Sequence, residues 1–127
     1  MVVAAALEAA VMCMALNIYH EVRGEPLDCQ FAVAQATLNR ADRKPEQVCE
    51  VVQKYKQFSW TLKPPPVTDM VAWKQSQTVA RLSFYMSDFT NGTTHYHTIT
   101  VSPYWKSDMV VTGQCGNHIL YKQKGKR

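Results

Sequence analysis

The residues best suited to chemistry lie at the end of the first apolar segment, where a polar cluster contains Glu21. Residues 4–16 carry Glu8 as their only charged side chain. Ala, Leu and Met favour helix, and a helix with so little polar surface is predicted to be buried. Gly24 and Pro26 then end it, because glycine supplies a left-handed cap and the residue before proline avoids helical geometry. The pattern therefore predicts Glu21 in the last turn of a core helix.

A carboxyl group in that position is suited to proton transfer. Burial disfavours its charged form and the negative end of the helix dipole acts in the same direction, so both raise the pKa of Glu21. A carboxyl group with a pKa near neutrality is able to donate a proton at physiological pH. Glu21 is the predicted general acid. The competing interpretation is a structural glutamate paired with Arg23 or His20.

Size and composition indicate one globular domain, which we expect to span residues 1–127. The chain is 46% hydrophobic and 19% charged, which is ordinary for such a domain. It has no apolar stretch of about 20 residues, and its start has no basic segment, so neither a membrane span nor a secretory signal is expected. We expect a soluble monomer made in a cytoplasm.

The net charge of +4 favours an anionic polymer as partner, and no recognisable motif points to nucleic acid.

The helical elements follow from apolar spacing and from residues that begin or end helices. The first helix is expected to end near residue 22, the second to cover about Leu27 to Ala41, and a short third to follow Pro45. Residues 55–60 are expected to be irregular, and the three prolines within residues 63–67 predict an extended connection.

A fourth helix is predicted after that connection. Thr68 and Asp69 are suitable capping residues, and the helix is expected to run to about residue 86. The candidate core positions of this helix are Val71, Val79, Leu82 and Met86.

The last third of the chain changes to β-branched and aromatic residues, which favour strands. After a turn at residues 88–92, three short segments have this composition: Thr94–Val101, Met109–Thr112 and Ile119–Tyr121. Helices first and a small antiparallel sheet near the C-terminus define an α+β fold.

The four cysteines show no C-x-x-C pair and no zinc-finger spacing, so reduced thiols are the default expectation. Cys13 is interpreted as a small core residue of the first helix. Cys29 and Cys49 are the pair that could form a disulfide in an oxidising compartment.

The order of motifs resembles that of the SleB-like cell wall hydrolases, a family typified by the spore-cortex-lytic enzymes. The resemblance rests on short blocks with suitable gaps that together cover about residues 12 to 121. The blocks are His20-Glu21-Val22-Arg23-Gly24-Glu25-Pro26, residues 30–34, Leu38-Asn39-Arg40, residues 48–52, Gln57-Phe58-Ser59-Trp60, residues 91–97, Pro103-Tyr104-Trp105, and residues 113–121.

The chain also departs from the family pattern at several places. Val22 stands where the family usually has alanine, and Cys29 where it usually has glycine. The segment Gln114-Cys115-Gly116-Asn117 resembles an insertion before His118. These departures indicate a divergent member.

The resemblance implies a fold related to lysozymes and lytic transglycosylases, and cleavage of peptidoglycan glycan strands between N-acetylmuramic acid and N-acetylglucosamine. One glutamate does the acid/base work in such enzymes, and its position here is Glu21. A lytic transglycosylase needs no second carboxylate, because the C6 hydroxyl of the muramyl residue attacks the anomeric carbon. We expect neither a cofactor nor a metal.

The other site candidates form two groups. Residues able to hydrogen-bond to sugars or to stack on them are candidates for substrate binding: Gln57, Ser59, Trp60, Tyr96 and His97. Residues expected to orient the loop or hold the fold are Arg23, predicted to pair with Glu25, together with Glu25 itself, Asn39 and His118.

Three alternatives to the lytic transglycosylase stay open. A hydrolytic N-acetylmuramidase is the first. A zinc-dependent amidase or peptidase would use His118 with His95 and His97, which share one face of a predicted strand. A wall-binding or virion protein would keep the fold without turnover. With no signal, anchoring helix or separate wall-binding module expected, the enzyme is interpreted as a bacteriophage endolysin that reaches the wall after release.

Overall fold

In the part of the chain that the structure describes, four α-helices precede a three-stranded antiparallel sheet, as predicted. The structure is a computed structural model that describes residues 2–54 and 65–125, with side chains from residue 5 onward. The helices are α1 Val2–Val22, α2 Leu27–Arg40, α3 Pro45–Gln53 and α4 Met70–Ser83. The strands are β1 His95–Thr98, β2 Met109–Cys115 and β3 His118–Gln123, with a 3₁₀ helix at Tyr104–Asp108.

Helix α1 is the central element, and it packs against each of the other three helices. Residues at helical spacing, Ala10, Met14, Ile18 and Val22, are buried along it. The helix ends where the sequence predicts, because Gly24 adopts a left-handed conformation with φ of 86°. None of the helices within residues 2–54 and 65–125 has the combination of length and hydropathy needed to cross a membrane.

Helices α2 and α3 complete the inner part of the core. Residues 32–38 of α2 are all buried, because the helix lies between α1 and the sheet. Val48 and Val52 of α3 are fully buried, while Val51 is half-buried. Pro45 occupies the first turn of α3, where its missing N–H costs nothing.

The predicted core of α4 is largely wrong. Val79 is buried, but Val71 is 82% exposed and Leu82 is 50% exposed, and Met86 lies exposed beyond the helix. The buried positions around Val79 are the small residues Ser76, Ala80 and Ser83. Small side chains let α4 approach α1 closely, so the helix turns its larger apolar residues outward.

Residues 65–69 precede α4, and Asp69 caps it. The side chain of Asp69 caps its first turn by accepting a hydrogen bond from the backbone N–H of Ala72 at 3.0 Å. Residues 65–69 form neither helix nor strand. The predicted irregular segment at residues 55–60, and residues 63 and 64 of the proline connection, lie outside the described residues.

The sheet has the order β1-β3-β2, and its two faces differ in what covers them. On the inner face Tyr96, Cys115 and Leu120 pack against Cys29 and Ala32 at the start of α2. On the outer face His95 pairs in register with Tyr121, and the indole of Trp105 packs against both rings.

Two disulfides cross-link the helices and the sheet, so the expectation of reduced thiols is wrong, whereas Cys13 packs against the core as expected. Cys13 is bonded to Cys49, with 5.2 Å between their Cα atoms, because α3 packs against α1 at this level. Cys29 is bonded to Cys115, with 5.1 Å between Cα atoms, because the start of α2 faces the end of β2. Both Cα separations lie within the range that disulfides require. No pair forms between Cys29 and Cys49.

Candidate active site

Glu21 lies in the last turn of α1, as predicted, and its side chain is partly buried while retaining some contact with solvent. Burial raises the pKa of its carboxyl group from 4.5 to about 7. Among the described residues no cation pairs with Glu21, so its predicted alternative as a partner of Arg23 or His20 is wrong. The group therefore exists substantially in its protonated form near neutral pH.

A buried polar network lies on the same face of α1, one helical turn before Glu21. The side-chain amide of Asn17, which is fully buried, donates to the hydroxyl of Tyr96 at 3.3 Å and lies 3.4 Å from Thr37 Oγ1. Burial raises the pKa of Tyr96, and a negative charge on Glu21 raises it further. The phenol of Tyr96 is therefore neutral and close enough to Glu21 to sense its charge.

A positive charge also influences Tyr96. Arg40, the last residue of α2, interacts electrostatically with Tyr96 and with His95. Burial, and then the charge of Arg40, lower the pKa of His95 to about 4, so His95 is uncharged at neutral pH. The site thus combines a carboxyl group with a pKa of about 7, a neutral phenol and one guanidinium, while His95 lies on the opposite face of the sheet from Tyr96. This set suits protonation of a leaving oxygen.

Glu25 and Arg23 do not form the predicted pair. The carboxylate of Glu25 accepts a hydrogen bond from the backbone N–H of Asn117 at 3.1 Å. This bond joins the segment between α1 and α2 to the turn between β2 and β3. Arg23 instead donates to the carbonyl of Tyr19 at 3.2 Å and stacks over the Tyr19 ring at 4.4 Å. Glu25 has the anchoring role that the sequence suggested, with a different partner.

The strand register contradicts the predicted zinc triad. His118 pairs with Thr98 in β1 and lies on the inner face with Tyr96, whereas His95 and His97 point to the outer face. Among the described residues, these three histidines do not converge as metal ligands.

His97 is a core residue of the outer face. Its Nδ1 donates to the carbonyl of Thr98 at 2.7 Å, so Nε2 accepts from the hydroxyl of Tyr121, also at 2.7 Å. His97 is 8% exposed, and both ring nitrogens have partners. This geometry argues against the predicted sugar-binding role of His97.

Asn39 and His118 lie at junctions of the fold. The amide of Asn39 donates to the carbonyl of Thr93 at 2.8 Å, and its oxygen accepts from Arg43 at 2.6 Å, which fixes the chain entering β1. His118 is 4% exposed and packs against the ring of Tyr96. Both contacts fit the supporting roles predicted for these residues.

The remaining candidates for substrate binding, Gln57, Ser59 and Trp60, lie outside the described residues. Asn17 and Arg40 are site residues that were not among the predicted candidates, although the sequence carries a signal for each. Asn17 interrupts an apolar run four residues before Glu21, and residues at that spacing share a helix face. Arg40 belongs to one of the motif blocks and ends the helix beneath β1.

Comparisons with known proteins identify the family and the fold of the chain. The family model described as Cell Wall Hydrolase matches residues 24–121, a region that begins three residues after Glu21. The search of curated proteins found no match. Among solved structures, the chain is similar to the catalytic domain of the germination-specific lytic transglycosylase SleB from Bacillus anthracis. The two share 24% sequence identity with a TM-score of 0.71, over 89% of this chain and 93% of that domain.

The fold is therefore that of an SleB-type catalytic domain, and the site is built around one protonated carboxyl group. Because the family match covers most of the sequence, the chain belongs to the cell wall hydrolase family. The family and the shared fold make it a peptidoglycan-cleaving enzyme.

Proposed function

We propose that the protein cleaves the glycan strand of peptidoglycan as a lytic transglycosylase, with Glu21 as its single acid/base residue. The observation that carries the proposal is the partly buried carboxyl group at the end of α1, whose pKa of about 7 keeps it protonated near neutral pH. The fold shared with the catalytic domain of SleB, a lytic transglycosylase, supports the same reaction.

Glu21 takes part in both proton transfers of the reaction, first as the acid and then as the base. Glu21 gives its proton to the glycosidic oxygen while the bond from that oxygen to C1 of N-acetylmuramic acid breaks. The C6 hydroxyl of the same muramyl residue forms a bond to C1, and Glu21 accepts the hydroxyl proton. The products are a 1,6-anhydromuramyl end and a free hydroxyl on the next sugar, and the acid is restored without water.

The arrangement of carboxylates favours this reaction over ordinary hydrolysis. An inverting or retaining glycosidase needs a second carboxylate, at about 5 to 9.5 Å from the first. Glu25 is the closest carboxylate in sequence, and it is engaged with the N–H of Asn117. No other carboxylate contributes to the raised pKa of Glu21, which has burial as its cause.

A Glu21→Gln variant tests the proposal, since glutamine keeps the shape of the side chain and removes the proton. We expect release of soluble fragments from purified sacculi to fall by roughly 10²- to 10⁴-fold. Glu8→Gln is the matched control, because Glu8 also lies on α1 but is exposed and bonded to Arg81. Unchanged release by Glu21→Gln would show that the acid is wrong.

The product identifies the reaction. Mass spectrometry of the fragments is expected to show anhydromuramic ends, which are lighter by one water than the reducing ends made by a muramidase. Reducing ends alone would replace the lytic transglycosylase by the hydrolytic alternative.

The endolysin role stays a prediction of the sequence, and lysis of host cells on coexpression with a membrane-opening protein is its test.

A further inference from the structure

Two residues that depart from the SleB-like sequence pattern meet at one point of the fold. Cys29 lies in the first turn of α2, and Cys115 is the last residue of β2. They form the disulfide that joins the helical part to the sheet. Neither cysteine has a part in the proposed cleavage of glycan strands.

Two further ligand-type side chains converge on this disulfide. A carboxylate oxygen of Glu25, the sulfur of Cys29 and a ring nitrogen of His118 all lie within 4.8 Å of one another. The sulfur of Cys115 is bonded to that of Cys29, so it lies beside this group of three although it is not within 4.8 Å of every member. Within the described residues, a carboxylate, an imidazole and one sulfur thus surround one point, and a second sulfur is bonded to the first.

His118 supplies a second, independent observation. Its side chain is 4% exposed, and its Nδ1 has no hydrogen-bond partner among the described residues. A buried polar atom without a partner is rare in folded proteins, because the loss of its bond to water is not compensated. A bound ion is one of the few groups that would satisfy it.

We propose that reduction of the Cys29–Cys115 disulfide converts this cluster into a zinc site with Glu25, Cys29, Cys115 and His118 as ligands. The thiolate, and not the disulfide, is the form of cysteine that binds metals. Two thiolates, an imidazole and a carboxylate are all accepted ligands of zinc. The site is therefore latent in the oxidised chain and is created when the sulfur–sulfur bond breaks.

The reaction balances with a phosphine as the reductant. The phosphine transfers two electrons to the disulfide and takes an oxygen atom from water, becoming a phosphine oxide. The two protons of that water convert the separated sulfurs into thiols. Zn²⁺ then replaces both thiol protons, which pass to the buffer.

For Glu25, Cys29 and His118 the geometry requires only small displacements. Zinc bonds of about 2.0 to 2.3 Å in a tetrahedron place ligand atoms roughly 3.3 to 3.8 Å apart. The present separations of at most 4.8 Å between Glu25, Cys29 and His118 shorten by about 1 Å, and the two sulfurs move apart. Cys115 and His118 are already paired in register across the two-residue turn.

The role of such a site is structural. Four protein ligands leave no open position for substrate or water, which is the property of structural zinc sites. The ion would join the start of α2 to the hairpin of β2 and β3, the same junction that the disulfide joins. Under reducing conditions it would take over the function of that cross-link.

The test is direct measurement of metal binding to the purified chain, with and without a phosphine reductant. After dialysis against Zn²⁺ and then metal-free buffer, we expect one zinc ion per reduced chain and none per oxidised chain. Co²⁺ in place of Zn²⁺ is expected to give the thiolate-to-metal absorption of a tetrahedral site. The Cys29→Ser/Cys115→Ser variant should lose both signals, and His118→Asn should lose the stoichiometric binding.

The second disulfide provides the matched control. Cys13→Ser/Cys49→Ser removes two thiols that belong to no such cluster among the described residues, so its reduced form should bind zinc like the wild type. Circular dichroism of every variant checks that it folds. Failure of the reduced wild type to bind zinc, or full binding by Cys29→Ser/Cys115→Ser, would overturn the proposal. Because glycan cleavage is not measured, either result leaves the role of Glu21 unaffected.

Discussion

The amide of Asn17 donates a hydrogen bond to the hydroxyl of Tyr96 at 3.3 Å, across 79 residues of sequence. This bond joins α1 to the first strand, one helical turn before Glu21 on the same helix face. It holds Tyr96 where the charge of Glu21 influences its pKa. The raised pKa of Glu21 itself has burial as its cause.

Replacing Tyr96 by phenylalanine tests the importance of that bond. Tyr96→Phe removes the acceptor and weakens the bonding of a fully buried amide, so we expect a loss of about 1 kcal/mol in the free energy of unfolding. Urea denaturation measures this loss. Tyr85→Phe is the control, because the side chain of Tyr85 is 75% exposed and its replacement is expected to change stability little. Equal effects of the two variants would contradict the role assigned to the bond.

The pH dependence of cleavage follows from the pKa of Glu21. The acid must be protonated when the glycosidic bond breaks, so kcat/KM is expected to fall as pH rises above about 7, tenfold per unit. Initial rates on solubilised glycan strands between pH 5 and 9 measure this profile. An alkaline limb centred near the ordinary value of 4.5 would mean that Glu21 is not buried as described.

The same pKa predicts how stability depends on pH. Because folding raises the pKa of Glu21 from 4.5 to about 7, the folded state binds the proton more tightly than the unfolded chain. The resulting stabilisation is complete below pH 4.5 and is lost as pH rises through 7, amounting to at most about 3 kcal/mol. Glu21→Gln has no charge to bury, so its stability relative to wild type should increase between pH 4 and pH 8. Parallel stability curves for the two proteins would contradict this.

Local features of the sequence were sufficient to predict much of the fold, while contacts between distant residues were not. Gly24 and Pro45 mark the end of α1 and the beginning of α3 through backbone geometry that depends on single residues. The core face of α4 was mispredicted because hydrophobic residues were assumed to point inward, whereas close approach to α1 favours Ser76 and Ala80.

The candidate site shows the same difference between features set by local sequence and contacts between distant residues. The position and raised pKa of Glu21 follow from one helix and its end, so the sequence predicts them. The bond between Cys29 and Cys115, and that between Glu25 and Asn117, depend on how the hairpin of β2 and β3 docks on α2. No spacing along the chain encodes that docking. Asn17 was overlooked because its partner, Tyr96, belongs to a strand formed much later in the sequence.

Gly24 is the residue that fixes where α1 ends and hence where Glu21 stands. Its φ of 86° is costly for any residue with a Cβ atom, although space for a methyl group is open there. We expect Gly24→Ala to lower the free energy of unfolding by roughly 1 to 2 kcal/mol and to reduce cleavage, because the last turn of α1 shifts. Gly113→Ala is the matched control, since its backbone is not left-handed and a Cβ would meet Leu120 at an ordinary 3.9 Å. Thermal unfolding and fragment release measured on both variants decide the matter: a Gly24→Ala protein as stable and active as Gly113→Ala would show that the end of α1 does not position the acid.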